Sequence, residues 1–296
     1  MRYAVLGAAG QLGRDLCPRL PGDVIALSRT GSPAADLTRP ESLRTMLDEM
    51  RPDVVVNCAA YNFVDRAESE PQEAFAVNAW GVRELARWCG QRDCLLVHFS
   101  TDYVFGLDQT RREPWTESDA PGPVIVYGLS KLAGEYLVRA LCPRHIVIRT
   151  CGLYGVWGSG GKGGNFVETM LRLAGQGKPL RVVDDQICTP SYTVDVAEAT
   201  VSLLSAGRPG LYHVTNSGSC SWHEMARTIF ELSGVKANLT PITSGEYGAP
   251  ARRPAYSVLD PMGIRSLSLP IPRPWPDALA AYLRERADKQ GKSSSS

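Results

Sequence analysis

The sequence predicts an α/β protein built on a parallel, doubly wound sheet. Five short apolar runs are separated by segments with helical periodicity, at residues 3–6, 24–27, 53–57, 95–99 and 146–149. The first run breaks into a glycine-rich turn that leads directly into a helical pattern. Alternating strands and helices need crossover connections, and these are almost always right-handed, so consecutive strands lie parallel in one sheet.

The pattern changes after residue 150, where the segments become shorter and less regular. We therefore expect an NAD(P)-binding domain of the Rossmann type in residues 1–150. Residues 151–286 are expected to form mainly a smaller α/β substrate-binding domain, with some segments returning to the first domain. Residues 287–296 are polar and of low complexity, which predicts a disordered tail.

Composition excludes several classes of protein. Lys and Arg number 32 against 31 Asp and Glu, and a formal charge of +1 gives no field to attract nucleic acid or an anionic membrane. No run approaches the roughly 18 apolar residues of a membrane-spanning helix. The eight cysteines form no Cys-x-x-Cys pair, which argues against structural zinc and favours reduced thiols in a cytoplasmic protein.

The first strand runs into Gly7, Gly10 and Gly13. Glycines at a strand-to-helix turn let backbone N–H groups approach a pyrophosphate without obstruction by Cβ atoms. Their spacing differs from the usual Gly-x-Gly-x-x-Gly pattern, so a plain turn is the alternative to a dinucleotide site.

The second strand ends at Ser28 and Arg29, where such a fold meets the adenosine ribose. A serine and an arginine can hold a 2′-phosphate by hydrogen bonding and charge, so we expect NADPH, with NADH as the alternative. An ordinary solvated arginine would fit the same sequence.

The fourth strand delivers Thr101, Asp102 and Tyr103 at its carboxyl end, where a substrate lies in an open α/β sheet. His98, inside that strand, is expected to be a packed or hydrogen-bonded residue and not a ligand.

Tyr127 and Lys131 lie four residues apart and share one face of the next predicted helix. A nearby ammonium favours the phenolate, so we expect Lys131 to lower the pKa of Tyr127 from about 10. The same spacing also occurs by chance on exposed helices, so its position in the chain has to carry the interpretation.

Two further segments are open to two interpretations. Residues 158–165 are glycine-rich and form either a mobile loop over the site or a passive linker. Arg252 and Arg253 are either a diphosphate site or ordinary surface arginines.

These motifs occur in a fixed order that covers nearly the whole chain, and together they resemble the dTDP-4-dehydrorhamnose reductase family of the extended short-chain dehydrogenase/reductase superfamily. The segments that carry the resemblance are residues 10–13, 57–61, 64–68, 100–105, 126–135, 164–166, 183–186 and 210–213.

The resemblance implies reduction by NADPH of the C4 keto group of a nucleotide-linked 4-keto-6-deoxy sugar, as in dTDP-rhamnose biosynthesis. Tyr127 would donate the proton, Lys131 would assist it and touch the nicotinamide ribose, and Thr101 would hydrogen-bond the reacting oxygen. Thr101 and Asp102 would meet the sugar. The remaining residues implied to line the cofactor are Gly10, Gln11, Leu12, Asp36, Leu37, Ala60, Tyr61 and Asn62.

The chain departs from the family pattern at two places. Gly152 stands where family members carry a tryptophan that closes on the sugar, and Trp157 is a candidate replacement. Some members are described as magnesium-linked dimers. Asp15 matches one of their acidic positions, but Val194 stands at another, so we predict no metal and leave a homodimer open.

Two other functions fit the same motifs. A nucleotide-sugar epimerase or dehydratase would keep its cofactor bound and return the hydride to the same molecule. A non-catalytic relative would bind the dinucleotide and act as a regulatory subunit.

Overall fold

The computed structural model describes residues 1–31, 34–158 and 164–293. The strands are β1 (Arg2–Leu6), β2 (Asp23–Leu27), β3 (Val54–Asn57), β4 (Leu95–Thr101), β5 (His145–Thr150), β6 (Leu153–Tyr154), β7 (Leu180–Val183), β8 (Ile187–Cys188), β9 (Ser191–Tyr192), β10 (Gly210–His213), β11 (Cys220–Ser221) and β12 (Leu239–Ile242).

The α-helices are α1 (Gln11–Leu16), α2 (Pro40–Met50), α3 (Val64–Ala67), α4 (Pro71–Phe75), α5 (Val82–Gln91), α6 (Val126–Leu141), α7 (Phe166–Ala174), α8 (Thr193–Ala206), α9 (Trp222–Ser233), α10 (Ser244–Tyr247), α11 (Met262–Ser266) and α12 (Trp275–Ser293). Short 3₁₀ helices cover Cys17–Arg19 and Asp102–Val104, and a π-helical segment, Ala76–Gly81, joins α4 to α5.

The central sheet has six strands in the order β10-β5-β4-β3-β1-β2, and all neighbours are parallel. This confirms the predicted doubly wound fold. The chain moves from β1 to β2 on one side and then returns to β3 on the other side of β1. A crevice therefore opens at the carboxyl ends of β1 and β3, which is where such sheets bind their ligands.

Two apolar cores cover the two faces of this sheet. Val5 and Val97 face the layer that contains α1 and α8. Ala4 and Leu96 face the layer that contains α2 and α5. The alternation along each strand sends successive side chains to opposite layers, so both faces are dry and the strands read as continuous apolar runs.

A third core belongs to the C-terminal region, where α7, α9 and α12 pack over two-stranded pieces of sheet. This agrees with the expected smaller α/β unit. α8 packs on α1, and β10 pairs with β5, so this part of the chain returns to the main sheet. The division of function at residue 150 stays a prediction.

The structure corrects one expectation about helices. α12 continues to Ser293, so residues 287–293 are helical and not part of a disordered tail. Between α4 and α5 the chain passes through the π-helical segment, whose position the apolar periodicity does not indicate. None of the described helices has the length and apolar character needed to cross a membrane. Residues 159–163 of the glycine-rich segment lie outside the described residues.

Candidate active site

The close approach of α6 to the end of β4 brings Tyr127 to Thr101. A Cβ atom on Gly128 would lie 2.1 Å from the carbonyl oxygen of Tyr103 and 3.0 Å from Cβ of Pro123. Only glycine permits this contact. Thr101 also accepts a hydrogen bond from the Tyr103 amide at 3.2 Å, which fixes the turn that follows β4.

The enclosed position of Tyr127 raises the pKa of its phenol to about 12. Desolvation is the main cause; the hydrogen bond with Thr101 lowers the pKa, and the Asp102 carboxyl raises it further. The expectation that Lys131 brings this pKa down was therefore wrong in direction, because desolvation outweighs the favourable contacts. A phenol with a raised pKa stays protonated at neutral pH, which suits a proton donor.

Lys131 lies one helical turn after Tyr127 and is 2 % exposed. Its Nζ donates a hydrogen bond to the carbonyl oxygen of Phe99 at 2.6 Å, inside β4. Burial lowers the pKa of Lys131 to about 8, although Glu135 and Cys58 act in the opposite direction. Lys131 is thus held rigidly between α6 and the carboxyl edge of the sheet.

Glu135 stands one further turn along α6 and is fully buried. Its carboxylate receives two hydrogen bonds from Arg149, at 2.9 Å and 2.7 Å, and one from the hydroxyl of Ser100. Burying an ion pair is costly unless its hydrogen bonds are satisfied, and here three are made. The cluster ties α6 to β4 and β5 directly beneath Lys131. Residue spacing alone does not indicate this cluster, because its members come from three different elements.

Asp102 is also buried, and its carboxylate is bonded inside the protein. The hydroxyl of Ser257 donates to one oxygen at 2.6 Å, and that of Thr101 donates to the other at 3.1 Å. Burial raises the pKa of Asp102 to about 6. Both carboxylate oxygens therefore already have partners within the protein. The contact of Asp102 with a sugar stays a prediction.

Tight packing explains the glycines after β1. Gly7 has a φ of +77°, and a Cβ atom there would lie 2.8 Å from the amide nitrogen of Ala59. A Cβ atom on Gly13 would lie 2.4 Å from the carbonyl oxygen of Gly7. The turn therefore lies directly against the segment that follows β3, at the crevice of the sheet.

The start of α1 has the properties of a dinucleotide phosphate site. Its N-cap, Gly10, supplies no capping side chain, and the first turn carries no acidic residue, so the amide groups there can meet an anion. Within the part of the chain that the structure describes, the Oε1 atom of Gln11 is buried without a hydrogen-bond partner, while its Nε2 donates to the carbonyl of Leu153. Leu12 packs into the core and holds the helix in place.

The end of β2 places charged groups around the expected adenosine site. Arg29 is exposed, and the carbonyl of Ser28 closes the turn by accepting from Gly31 and Ala35. Burial raises the pKa of Asp36, but hydrogen bonds from Thr38 and the charges of Arg29 and Arg39 lower it overall. Arg29 thus lies near Asp36 at the rim of the sheet.

Leu37, the next residue along the chain, is buried against Gly81.

Asn78 links the segment after β3 to α6. Its side chain bonds both the amide and the carbonyl of Tyr61, each at 2.9 Å, and donates to the hydroxyl of Ser130 at 3.0 Å. Ala60 and Asn62, on either side of Tyr61, are exposed at this edge. The sequence did not reveal Asn78, because its π-helical segment looks like ordinary helix.

A cavity of about 280 Å³ opens beside these residues, between the main sheet and the C-terminal region. Its wall includes Tyr103, whose ring contacts that of Tyr127 edge-on at 6.2 Å between centroids. The remaining lining residues are Phe166, Thr169, Met170, Arg181, Val182, Val183, Gln186, Trp222, Tyr247 and Arg253.

A family model described as "RmlD substrate binding domain" matches residues 1–287. The chain belongs to this family. It is 43% identical to the spore coat polysaccharide biosynthesis protein SpsK of Bacillus subtilis, over 97% of this chain and 98% of that protein. It is 40% identical to a dTDP-4-dehydrorhamnose reductase of Streptomyces griseus, over 94% and 91% of the two chains.

A solved structure agrees with this assignment. The dTDP-4-dehydrorhamnose reductase of Bacillus anthracis, determined in complex with NADP, superposes with a TM-score of 0.89 at 36% identity. The match covers 96% of this chain and 99% of that one. The resemblance seen in the sequence is therefore confirmed.

Trp157 was predicted to replace the tryptophan that RmlD-family members carry at the position of Gly152. Another tryptophan lies nearest to Gly152 in the structure. Trp157 donates from Nε1 to Asp15 at 2.8 Å, and the guanidinium of Arg14 lies over its ring, so Trp157 packs against α1. Trp222 instead approaches the side of Gly152. The expected substitution by Trp157 was therefore wrong.

The two adjacent arginines also differ from each other. Arg253 lines the cavity and pairs with Asp65 at 2.9 Å, whereas Arg252 is exposed on the surface. Only Arg253 is therefore placed to meet a ligand in the cavity of this RmlD-family protein.

Proposed function

We propose that this protein uses NADPH to reduce the C4 keto group of a nucleotide-linked 4-keto-6-deoxyhexose, with dTDP-4-dehydrorhamnose as substrate and dTDP-rhamnose as product. The observation that carries this proposal is the contact of Tyr127 with Thr101, with Lys131 one turn away, at the carboxyl edge of a doubly wound sheet. The names of the relatives and the NADP bound to one of them support the choice of substrate and cofactor.

Tyr127 is the proposed proton donor. Bound NADPH would supply the hydride that goes to C4. As negative charge develops on the carbonyl oxygen, Tyr127 transfers its phenolic proton to that oxygen, so that C=O becomes CH–OH. Thr101 would turn its hydroxyl proton from the Asp102 carboxylate to the same oxygen and donate a hydrogen bond to it in the transition state.

The cofactor would lie along the carboxyl edge of the sheet. Gly7, Gly10, Gln11 and Leu12 form the proposed pyrophosphate site at the start of α1, while Ser28 and Arg29 stand where a 2′-phosphate would be held. Tyr127 and Lys131 face the nicotinamide end. The other proposed contacts are Asp36, Leu37, Ala60, Tyr61 and Asn62.

The cytoplasm is the proposed location, because it supplies NADPH and nucleotide sugars and keeps thiols reduced. All eight cysteines are free. A nucleotide sugar is the proposed partner, and the homodimer allowed by the resemblance stays a proposal.

The test is NADPH consumption by the wild-type protein with a dTDP-4-keto-6-deoxyhexose. A reductase oxidises one NADPH for each sugar consumed. An epimerase or dehydratase converts sugar with no net loss of NADPH, and a regulatory subunit binds NADPH without turnover. Either of these results would refute the proposal.

A further inference from the structure

Trp222 occupies the space beside Gly152. A Cβ atom built on Gly152 would lie 3.2 Å from Cη2 of the Trp222 indole and 3.3 Å from Cα of Pro190. Gly152 also has a φ of +52°, a conformation that other residues adopt with strain. Position 152 therefore cannot carry a large side chain unless the indole moves.

The indole is held firmly in the cavity wall. Trp222 is the first residue of α9, whose N-cap, Ser221, accepts a hydrogen bond from the amide of Glu224 at 2.9 Å. Its ring packs against Phe166, with 4.8 Å between centroids and 51° between planes. Phe166 opens α7, and the side chain of Asn165 caps that helix. Two capped helix starts thus fix a pair of aromatic rings.

The tip of the indole lies beside the segment that contacts Asp102. Gly152 directly follows Cys151, whose thiol hydrogen-bonds the Asp102 carboxyl. Tyr103, which contacts Tyr127, lines the same cavity. The tip of Trp222 therefore lies beside the neighbour of Cys151, which bonds Asp102, and Asp102 is a residue proposed to meet the sugar.

We propose that the indole of Trp222 is the apolar wall against which the deoxyhexose ring packs, in place of a side chain at position 152. This inference rests on the proposed function and adds the residue that orients the sugar. The C–H face of a pyranose and the methyl group at C6 are apolar, and a rigid aromatic ring buries them at low entropic cost. The nucleoside diphosphate would be held elsewhere in the cavity, so Trp222 contributes to sugar binding alone.

Calorimetric binding of dTDP-rhamnose and of dTDP tests this without turnover. For Trp222→Ala, we expect the affinity for dTDP-rhamnose to fall about 10-fold, with the affinity for dTDP unchanged. Trp222→Phe keeps an aromatic wall and should lose less. Trp157→Ala is the matched control, because this tryptophan packs against α1, and it should change neither affinity.

Kinetics give a second readout. Trp222→Ala should raise the KM for the keto sugar by a similar factor, with a smaller change in kcat, while NADPH binding and the thermal midpoint confirm that the protein is folded. Gly152→Ala pushes on the indole from the other side and should also weaken dTDP-rhamnose binding selectively.

Two outcomes would overturn the inference: unchanged binding of dTDP-rhamnose to Trp222→Ala, or an equal loss of affinity for dTDP and dTDP-rhamnose, which would place the indole at the nucleoside. If Trp222→Ala does not fold, Trp222→Phe and Gly152→Ala decide by the same comparison. The proposed function fails separately, if the wild-type protein consumes no NADPH.

Discussion

The two sides of the candidate active site are built in different ways. The sheet side carries buried polar side chains, namely Thr101, Asp102 and Lys131, which are at least 94% buried. Each of them makes a hydrogen bond to another residue of the protein. On the C-terminal side, Trp222 and Arg253 keep partial exposure and come from segments joined by short pieces of sheet. This difference supports the proposal that the main sheet supplies the chemistry and that the smaller region selects the sugar.

The largest effect should come from Tyr127→Phe, which removes the proton donor and keeps the ring. We expect kcat to fall by about 10²-fold or more, the usual weight of one acid–base group, with NADPH affinity retained. Tyr136→Phe is the control, since Tyr136 is exposed on the same helix and should leave kcat unchanged. A Tyr127→Phe protein with the kcat of the wild type would show that Tyr127 is not the proton donor.

Glu135→Gln tests whether the buried ion pair holds the sheet side together. It leaves the Arg149 guanidinium charged and without a counterion in the core. We expect the free energy of unfolding to fall by about 3 kcal/mol, measured by urea denaturation. The double variant Glu135→Met with Arg149→Met should recover most of this loss. If the free energy of unfolding falls no more than it does when a surface ion pair is removed, the buried pair does not hold the sheet side together.

Asp102→Asn should change how stability depends on pH. Because the pKa of Asp102 is raised to about 6 in the folded protein, its protonated form favours folding at low pH, and this contribution is lost as the pH rises through about 6. Asparagine cannot ionise. The free energy of unfolding of the variant, relative to that of the wild type, should therefore rise by about 2 kcal/mol between about pH 4 and pH 7. If the free energies of unfolding of the wild type and of the variant change with pH in the same way, the pKa of Asp102 is not raised.

The smallest effect is expected for Arg29→Ala, an exposed residue after β2 that does not line the cavity. Losing one charge near a 2′-phosphate should reduce the preference for NADPH over NADH about 10-fold, measured as the ratio of the two kcat/KM values. Arg227→Ala, on the exposed face of α9, should leave this ratio unchanged. An unchanged ratio for Arg29→Ala would show that Arg29 is an ordinary surface arginine.

The sequence predicted the sheet side far better than the C-terminal side. Strand periodicity placed Thr101 and the glycine turn at one sheet edge, since parallel strands end there together. Burial is a tertiary property, so the direction of the Tyr127 pKa shift and the pair of Glu135 with Arg149 could not be read from spacing. The approach of Trp222 to Gly152 joins residues 70 positions apart, and Trp157 seemed the better candidate only because it is close in sequence.

The central claim is that hydride reaches C4 of the sugar while Tyr127 supplies the proton. The most direct measurement uses NADPH carrying two deuterium atoms at C4 of the nicotinamide, so that either face transfers deuteride, with mass spectrometry and NMR of the sugar product. The account predicts one deuterium on C4 of the deoxyhexose for each NADPH oxidised. Sugar conversion without deuterium in the product and without loss of NADPH would contradict it, because the hydride would then have returned to the molecule it came from.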